Sequence, residues 1–254
     1  MRPLLAELVR SEWTKLWSVR STYWALLAIV AAMISLAAVF AATGPAAPAD
    51  PAAYGLSGFF QAQLGAAALG ALAITSEYAT GSIRATLTAA PQRGTVLAAK
   101  TIVVAAITTA VGIAAAFVAF LVAARVFAGR DVAVALTDAG AARTVVGAGL
   151  YLGVLAVLAL ALGTVIRSSV GTVAVVVTLM LVLPGIAGAL PVGWQGGVVR
   201  YLPAEAGQAI IGSTRFALPG RDLLAPWTGF AVLCAYTAVA FVAAAVSLSR
   251  RDSR

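Results

Sequence analysis

Val96 to Ala124 reads VLAAKTIVVAAITTAVGIAAAFVAFLVAA, an apolar run whose only charge is Lys100. Bilayer hydrocarbon is about 30 Å thick, and a helix crosses it with about 20 apolar residues. This run exceeds that length, so the helix is expected to tilt or to project beyond the membrane. Lys100 at its start and Arg125 just past its end are expected to snorkel to opposite interfaces. The rest of the chain has the same character. It is 62% hydrophobic and only 10% charged, with a mean hydropathy of +1.00. Soluble domains average roughly 45–50% apolar and 25% charged residues. A soluble core of this chain length could not bury so much apolar surface, and the composition points to an all-α, polytopic membrane protein.

Further runs of spanning length lie on either side of this one. We place spans at about 22–42, 57–75, 97–124, 144–166, 170–190 and 227–248. Ahead of them, residues 1–20 (MRPLLAELVRSEWTKLWSVR) repeat Leu5, Val9, Trp13 and Trp17 every four positions. Leu4, Leu8, Glu12 and Leu16 form a second such series, and Glu7, Arg10, Ser11, Thr14, Lys15 and Ser18 take the other face. This pattern predicts an amphipathic helix lying in the membrane interface. The first span is longer than the roughly 7–15-residue core of a cleaved signal and is expected to be retained. Residues 43–58 read as a turn-rich loop and 125–143 as a polar connection. Residues 191–226 carry Pro191, Pro203, Pro219 and Pro226. Within them Val198 to Gly212 is too short to span but apolar enough to dip in as a re-entrant segment packed on the bundle. No internal repeat is visible, and the chain reads as a single membrane domain over 1–254.

Six spans put both termini on one side. That side would hold eleven of the 17 basic residues and four of the nine acids, leaving six basic residues and five acids on the other. The excess of Lys and Arg places both termini and the break at 76–95 in the cytoplasm. The net charge of +8 is then a matter of membrane orientation rather than of nucleic-acid binding. There is no histidine and one cysteine, Cys234. Internal disulfides, Cys/His zinc sites and His-based catalytic triads are excluded by inventory. No ionisable residue lies in the central part of any expected span. Proton relays and ion-coupled carriers place such residues there, and no constellation of nucleophile and base is present. If the protein moves a substrate uphill, its energy is expected to come from elsewhere. Gly94 to Thr101, GTVLAAKT, has the spacing of a phosphate-binding loop, but Ala99 replaces its second glycine. It also opens a membrane helix with no strand before it, which argues against nucleotide binding. Gly149 and Gly153, next to Gly147, permit close helix packing within the chain or at a dimer seam. Gln61, Gln63, Thr108, Thr109, Thr164, Thr172 and Thr178 could line a mildly polar path, whereas span threonines more often bond their own backbone.

The break between the second and third spans is Thr75 to Gly94, TSEYATGSIRATLTAAPQRG. It is longer than a turn needs and carries a small amphipathic element over Ile83 to Ala90, with Ile83 and Leu87 on one face and Arg84 beside them. That suits docking onto something outside the membrane. The order Glu77, Gly81-Ser82, Leu87-Thr88, Pro91, Arg93 resembles the cytoplasmic loop of type-2 ATP-binding-cassette (ABC) transporter permeases. Ser82 stands where that family more often has Thr. The resemblance extends over the interfacial helix, the six spans and the semi-apolar segment before the last, in the short bacterial form without a fused ATPase. It implies a permease subunit in the bacterial plasma membrane, paired with a second permease subunit, identical or related, and with two copies of a separate ABC ATPase subunit. It further implies an exporter of a hydrophobic or amphipathic substrate. ATP and Mg would bind to the ATPase, and the permease itself would hold no cofactor and no metal and would have no catalytic residue. Glu77, Gly81, Ser82, Ile83, Arg84, Leu87, Pro91 and Arg93 would carry the coupling to the ATPase, with Glu77 pairing Arg84 or holding the loop to the N-terminal helix. Membrane lipids are the other expected partner. The competing readings are a stand-alone channel or secondary carrier and a non-transporting membrane scaffold.

Overall fold

The computed structural model describes residues 5–45, 48, 50–89, 92–189, 197–212 and 224–251. Among these residues every regular element is a helix. α1 (Leu5–Ser18) and α2 (Arg20–Thr43) are separated only by Val19, whose extended backbone breaks the helix. Two side chains lock that bend, the Thr22 hydroxyl donating to the Leu16 carbonyl at 2.7 Å and the Tyr23 hydroxyl to the Trp17 carbonyl at 3.0 Å. α3 (Pro51–Gly55) is a single turn with Pro at its start, capped by the Asp50 carboxylate accepting from the Ala53 N–H. Then come α4 (Phe59–Thr80), α5 (Ser82–Ala89), α6 (Arg93–Ala128) and α7 (Ala141–Ile166). α8 (Ser169–Val177) continues through a π-helical turn at Thr178–Val182 into α9 (Leu183–Gly188). Past a short 3-10 turn, Val199–Tyr201, lie α10 (Pro203–Gln208) and α11 (Pro226–Arg251).

Six helices are long and apolar enough to cross a membrane: Arg20–Thr43, Phe59–Thr80, Arg93–Ala128, Ala141–Ile166, Ser169–Ala187 and Pro226–Arg250. The protein is an all-α polytopic membrane protein. The second and third of these helices run further than their hydropathy alone suggests. α4 continues five residues past Thr75, and α6 begins at Arg93, because helices spanning a bilayer extend until a residue with a special backbone stops them. At the end of α4 that residue is Gly81, in the left-handed conformation with φ of 71°. Residues 76–95 are therefore mostly helix, and the connection proper reduces to the ends of α5.

α7 is the hub, with Tyr151, Leu152, Leu155, Ala156, Ala159, Leu160 and Ala161 all fully buried. Glycine lets its neighbours close on it. A Cβ at Gly149 would sit 2.6 Å from the Ile113 nitrogen and 2.9 Å from the Thr109 carbonyl oxygen, and one at Gly153 would collide with the Thr109 hydroxyl. Gly112 of α6 likewise faces the Gly149 backbone, and Gly70 of α4 the Ala156 carbonyl. The GxxxG spacing is thus spent within the chain, joining α7 to α6. The fifth and sixth spanning helices are far less covered, leaving Val170, Ile186, Val239 and Val242 at 60–81% exposure.

The segment before the last span packs into the bundle from Pro203 onward, while Val198 and Tyr201 ahead of it are exposed. Ala204, Ala206, Ala209, Ile210 and Ile211 are all at 2% exposure or less, so α10 sits in the bundle without crossing it. Residues 190–196 and 213–223 lie outside the described residues. At this end of the bundle two arginines close backbone ends. Arg130 donates to the Ala41 and Gly44 carbonyls at 2.6 and 2.8 Å, and Arg143 donates to the Ile210 carbonyl at 2.5 Å. Carbonyls at a helix C-terminus lack intrahelical donors, which gives these two cations a structural task. Three span threonines bond their own helices: Thr164 to Leu160, Thr172 to Ser168 and Thr178 to Ala174. Gln63 is buried, and its carbonyl oxygen accepts from the Tyr151 hydroxyl at 2.7 Å.

Forcing a large side chain into the α6–α7 contact should cost about 1–3 kcal/mol or more. We expect Gly149→Leu to lower the unfolding temperature of the detergent-solubilised protein without changing its oligomeric state in size-exclusion light scattering. A changed oligomeric state at unchanged stability would instead make this surface a dimer seam.

Candidate functional site

At the end of the bundle where α1, α4, α5 and α6 meet, four charges gather. Lys100 lies two turns into α6 and is only 4% exposed. Its ammonium donates to Glu12 Oε2 of α1 at 2.5 Å and to Glu77 Oε1 of α4 at 3.0 Å. Lys15, one turn beyond Glu12, donates to Glu12 Oε1 at 2.8 Å, to Glu77 Oε1 at 3.3 Å and to the Thr86 hydroxyl of α5 at 3.2 Å. Two cations and two carboxylates thus bind four helices that come from three separate stretches of sequence. Glu12 is 5% and Glu77 9% exposed. An isolated ionised carboxylate would not tolerate such burial. The alternation of sign is what makes it possible.

The electrostatics of Glu12 and Lys15 follow from this geometry. Burial works against the Glu12 carboxylate, yet Lys100 and then Lys15 outweigh it and hold its pKa below the ordinary 4.5. Partial burial of Lys15 also disfavours its charge, and Glu12 and Glu77 overcome that and raise its pKa above 10.5. Both shifts favour the charged forms in the folded chain.

This cluster corrects the expectation that Lys100 snorkels to an interface. The side chain turns inward, on the same stripe as buried Leu97, Val104 and Ile107, at spacings of three, four and seven. Glu12 has the same signature, falling on the Leu8–Leu16 face of an otherwise apolar stripe. A charge in phase with the buried face of its helix is the signal that would have found both residues. Glu77 ties the end of α4 to the N-terminal helix through Lys15, and the Arg84 side chain lies outside the described residues. The Gly94–Thr101 stretch is helical throughout, and its lysine is committed to two carboxylates. That leaves no phosphate-cradling loop.

The other loop residues divide into three groups. Gly81 ends α4, and nothing lies within 4 Å of where its Cβ would be. Ser82 is exposed at the start of α5, with its hydroxyl 3.0 Å from that of Thr80. Ile83 turns the other way and is 8% exposed, packed into the chain's own core. The apolar side of α5 at this position therefore faces the bundle, and Ser82 and Thr88 face outward. Arg84 and Leu87 belong to α5, and Pro91 lies outside the described residues. Arg93 is drawn into another contact, donating to the Leu248 and Ser249 carbonyls at 2.9 and 3.2 Å. It thereby ties the start of α6 to the end of α11. Nearby, the Arg167 guanidinium stacks 4.9 Å over the Tyr78 ring, and the Thr75 and Ser169 hydroxyls are 2.7 Å apart. These contacts fasten the α7–α8 turn to the end of α4. Among the described residues no cluster of three or more Asp, Glu or Cys side chains could hold a metal ion.

Neither the protein-family models nor the characterised proteins with which the chain was compared match it.

Removing one member of a buried ion pair leaves its partner unpaired and costs about 3–5 kcal/mol. We expect Lys100→Met to destabilise the detergent-solubilised protein by that order, with part of the loss recovered in Glu12→Gln/Lys100→Met. Full additivity of the two single changes would contradict the contact. The pH dependence has two limbs. Glu12 contributes stability above its unfolded-state value, and this is lost as pH falls from near 4.5 through the lower folded value. Lys15 contributes below its unfolded-state value, and this is lost as pH rises from near 10.5 through the higher folded value. Thermal melting between these limits should be insensitive to both groups. A stability change centred near pH 7 that disappears in Glu12→Gln would contradict this.

Proposed function

We propose that this chain is the membrane-spanning permease subunit of an ATP-driven transporter of the type-2 ABC class. In this reading it exports a hydrophobic or amphipathic substrate, and a separate ATPase docks on the end of the bundle formed by α1, α5 and the start of α6. The observation that carries the proposal is α5. It is a short helix beyond the end of α4 with an outward polar face, and it is linked by Thr86 to a buried charge cluster reaching α1, α4 and α6. A simple connector needs no such linkage. The absence of ionisable residues from the central spans supports an external energy source over an ion-coupled carrier.

The mechanism follows from how force would travel. Two permease subunits pair in the plasma membrane, and each seats its α5 against one ATPase subunit. ATP and Mg bind to the ATPase alone. When the ATPases close, displacement of α5 passes through Thr86 and Lys15 to Glu77 and Lys100, whose helices α4 and α6 span the membrane. Charge-assisted hydrogen bonds are short and directional, so the cluster transmits the movement instead of absorbing it. The weakly covered faces of the fifth and sixth spanning helices, with Val170, Ile186, Val239 and Val242 exposed, are available to lipid, to the second permease or to an apolar substrate path. Both termini are cytoplasmic in this arrangement.

The test is affinity purification of the tagged protein from its native membrane, with ATPase activity measured in the eluate. We expect a stoichiometric soluble ATPase that is lost in Arg84→Glu while membrane insertion is retained. Gly81 needs a matched pair, because its φ is positive. Gly81→Val strains the turn by about 1–2 kcal/mol, whereas asparagine tolerates this conformation. Gly81→Asn should therefore keep the partner, and Gly81→Val should lose it. A preparation with neither partner nor ATPase activity overturns the proposal.

A further inference from the structure

Arg167, at the turn from α7 to α8, has a φ of 60° and a ψ of 20°. Its N–H donates to the Gly163 carbonyl at 2.8 Å, so it is the left-handed residue that closes α7. Glycine ordinarily takes this position, because a Cβ is unfavourable there. The other left-handed positions among the described residues follow that rule, with Gly81, Gly140 and Gly212, or use Asp131, a residue type that tolerates it. Arginine at this position keeps a strained backbone, and strain of this kind persists where the surrounding structure holds it for a purpose. Here the guanidinium lies 4.9 Å over the Tyr78 ring. Its Nε is buried, and withdrawal from water strengthens a cation–π contact. Tyr78 directly follows Glu77 on the last turn of α4. That turn therefore carries two connections on different sides, Glu77 to Lys15 and Lys100, and Tyr78 to Arg167. One turn earlier, a further contact runs parallel to the second. The Thr75 hydroxyl spends its proton on the Ala71 carbonyl at 2.8 Å, so Ser169 is the donor in the 2.7 Å contact between their hydroxyls. Beyond Ser169, the first half of the fifth spanning helix is buried along one line, Thr172, Val176 and Met180, spaced by four, while Val170 stands exposed. A helix held on one line can roll or tilt about it, and the contacts of Arg167 and Ser169 with α4 hold its near end.

We propose that Arg167 and Tyr78 form a strained catch that makes the start of the fifth spanning helix follow the end of α4. While the catch is closed, a displacement of the charge-locked end reaches the fifth spanning helix as well as α4 and α6. When the guanidinium leaves the ring, the left-handed backbone at Arg167 loses the contact that offsets its strain, and the start of α8 moves independently on its line of contact. Arg167 is thus a positioning residue, acting through the turn that sets where α8 begins. The catch is a property of the chain alone. It does not rest on the permease reading, and its test contains no ATPase.

The experiment is hydrogen–deuterium exchange on the full detergent-solubilised chain, read at the α8 amides from Thr172 to Val177 and at the central amides of α7, with thermal melting of the same samples. A cation–π contact withdrawn from water corresponds to a factor of about five to thirty in an opening equilibrium. Tyr78→Leu and Arg167→Gly should each speed α8 exchange by that order and leave α7 unchanged. Tyr78→Phe retains the ring and should exchange as the unaltered chain does. Arg167→Gly and Arg167→Ala both lose the catch, but only glycine relieves the backbone, so Arg167→Gly should melt at the higher temperature. Unchanged α8 exchange in Tyr78→Leu and Arg167→Gly overturns the catch. An equal rise in Tyr78→Phe overturns it too, because the effect would then belong to the hydroxyl and not to the ring. So does a rise spread evenly through α7, which would mark a general loss of stability. Arg167→Ala melting at or above Arg167→Gly overturns the strain. Should Tyr78→Leu fail to fold, the two Arg167 variants and Tyr78→Phe still decide.

Discussion

The contact between the Lys100 ammonium and the Glu12 and Glu77 carboxylates is the constraint on which this end of the molecule depends. Placing a lysine two turns inside a membrane helix is expensive unless the charge is matched on the spot. The two carboxylates come from α1 and from the end of α4, so satisfying Lys100 fixes where both of those helices must lie. Lys15 takes the outer side of the same carboxylates, and in reaching them it picks up Thr86 of α5. Buried ion pairs are weak evidence for net stability, but they discriminate sharply between arrangements, because any shift of register leaves a charge unpaired. Here they specify one arrangement of the N-terminal amphipathic helix, two spanning helices and a loop helix.

The rest of the bundle is held by a different interaction. α7 carries no charge between Arg143 and Arg167 and packs through glycines and alanines, which let backbones approach closely where lipid offers no hydrophobic incentive to associate. Close packing of that kind resists deformation. The α8–α9 helix is built differently, with a π-helical turn ahead of Pro184 and little coverage. Such turns interrupt the regular hydrogen-bond ladder and frequently accompany function. The molecule thus combines a rigid hub, a charge-locked end and a looser flank. That distribution is what the proposed reading, a subunit driven from one end by a partner, requires.

The fold is legible in the sequence because hydropathy and helix length are summed over twenty or more residues, and single departures average out. The six spans, the N-terminal amphipathic helix and the short buried segment before the last span were all legible this way. The charge cluster was not, and the reason is physical. Lys100 and Glu12 are 88 residues apart, and no local periodicity records a partner at that distance. A lysine near a span end is ordinarily an anchor, and only its phase with Leu97, Val104 and Ile107 distinguishes it from one. The extent of α4 was misjudged for a related reason. Ser76, Glu77 and Thr80 lower the hydropathy of a segment that is nonetheless helical, because Ser76 and Thr80 bond back to their own helix and Glu77 is neutralised from outside it. The inward turn of Ile83 was likewise invisible, since an apolar side chain on a short helix does not reveal whether it faces its own bundle or a partner.

The most direct measurement of the lock is hydrogen–deuterium exchange on the detergent-solubilised protein, comparing the unaltered chain with Lys100→Met. If Lys100 joins these helices as described, amides of α1 and α5 lose protection together with those at the start of α6, while the central amides of α7 are unchanged. Loss confined to α6, with α1 and α5 protected as before, would show that these helices are held independently and would contradict the account.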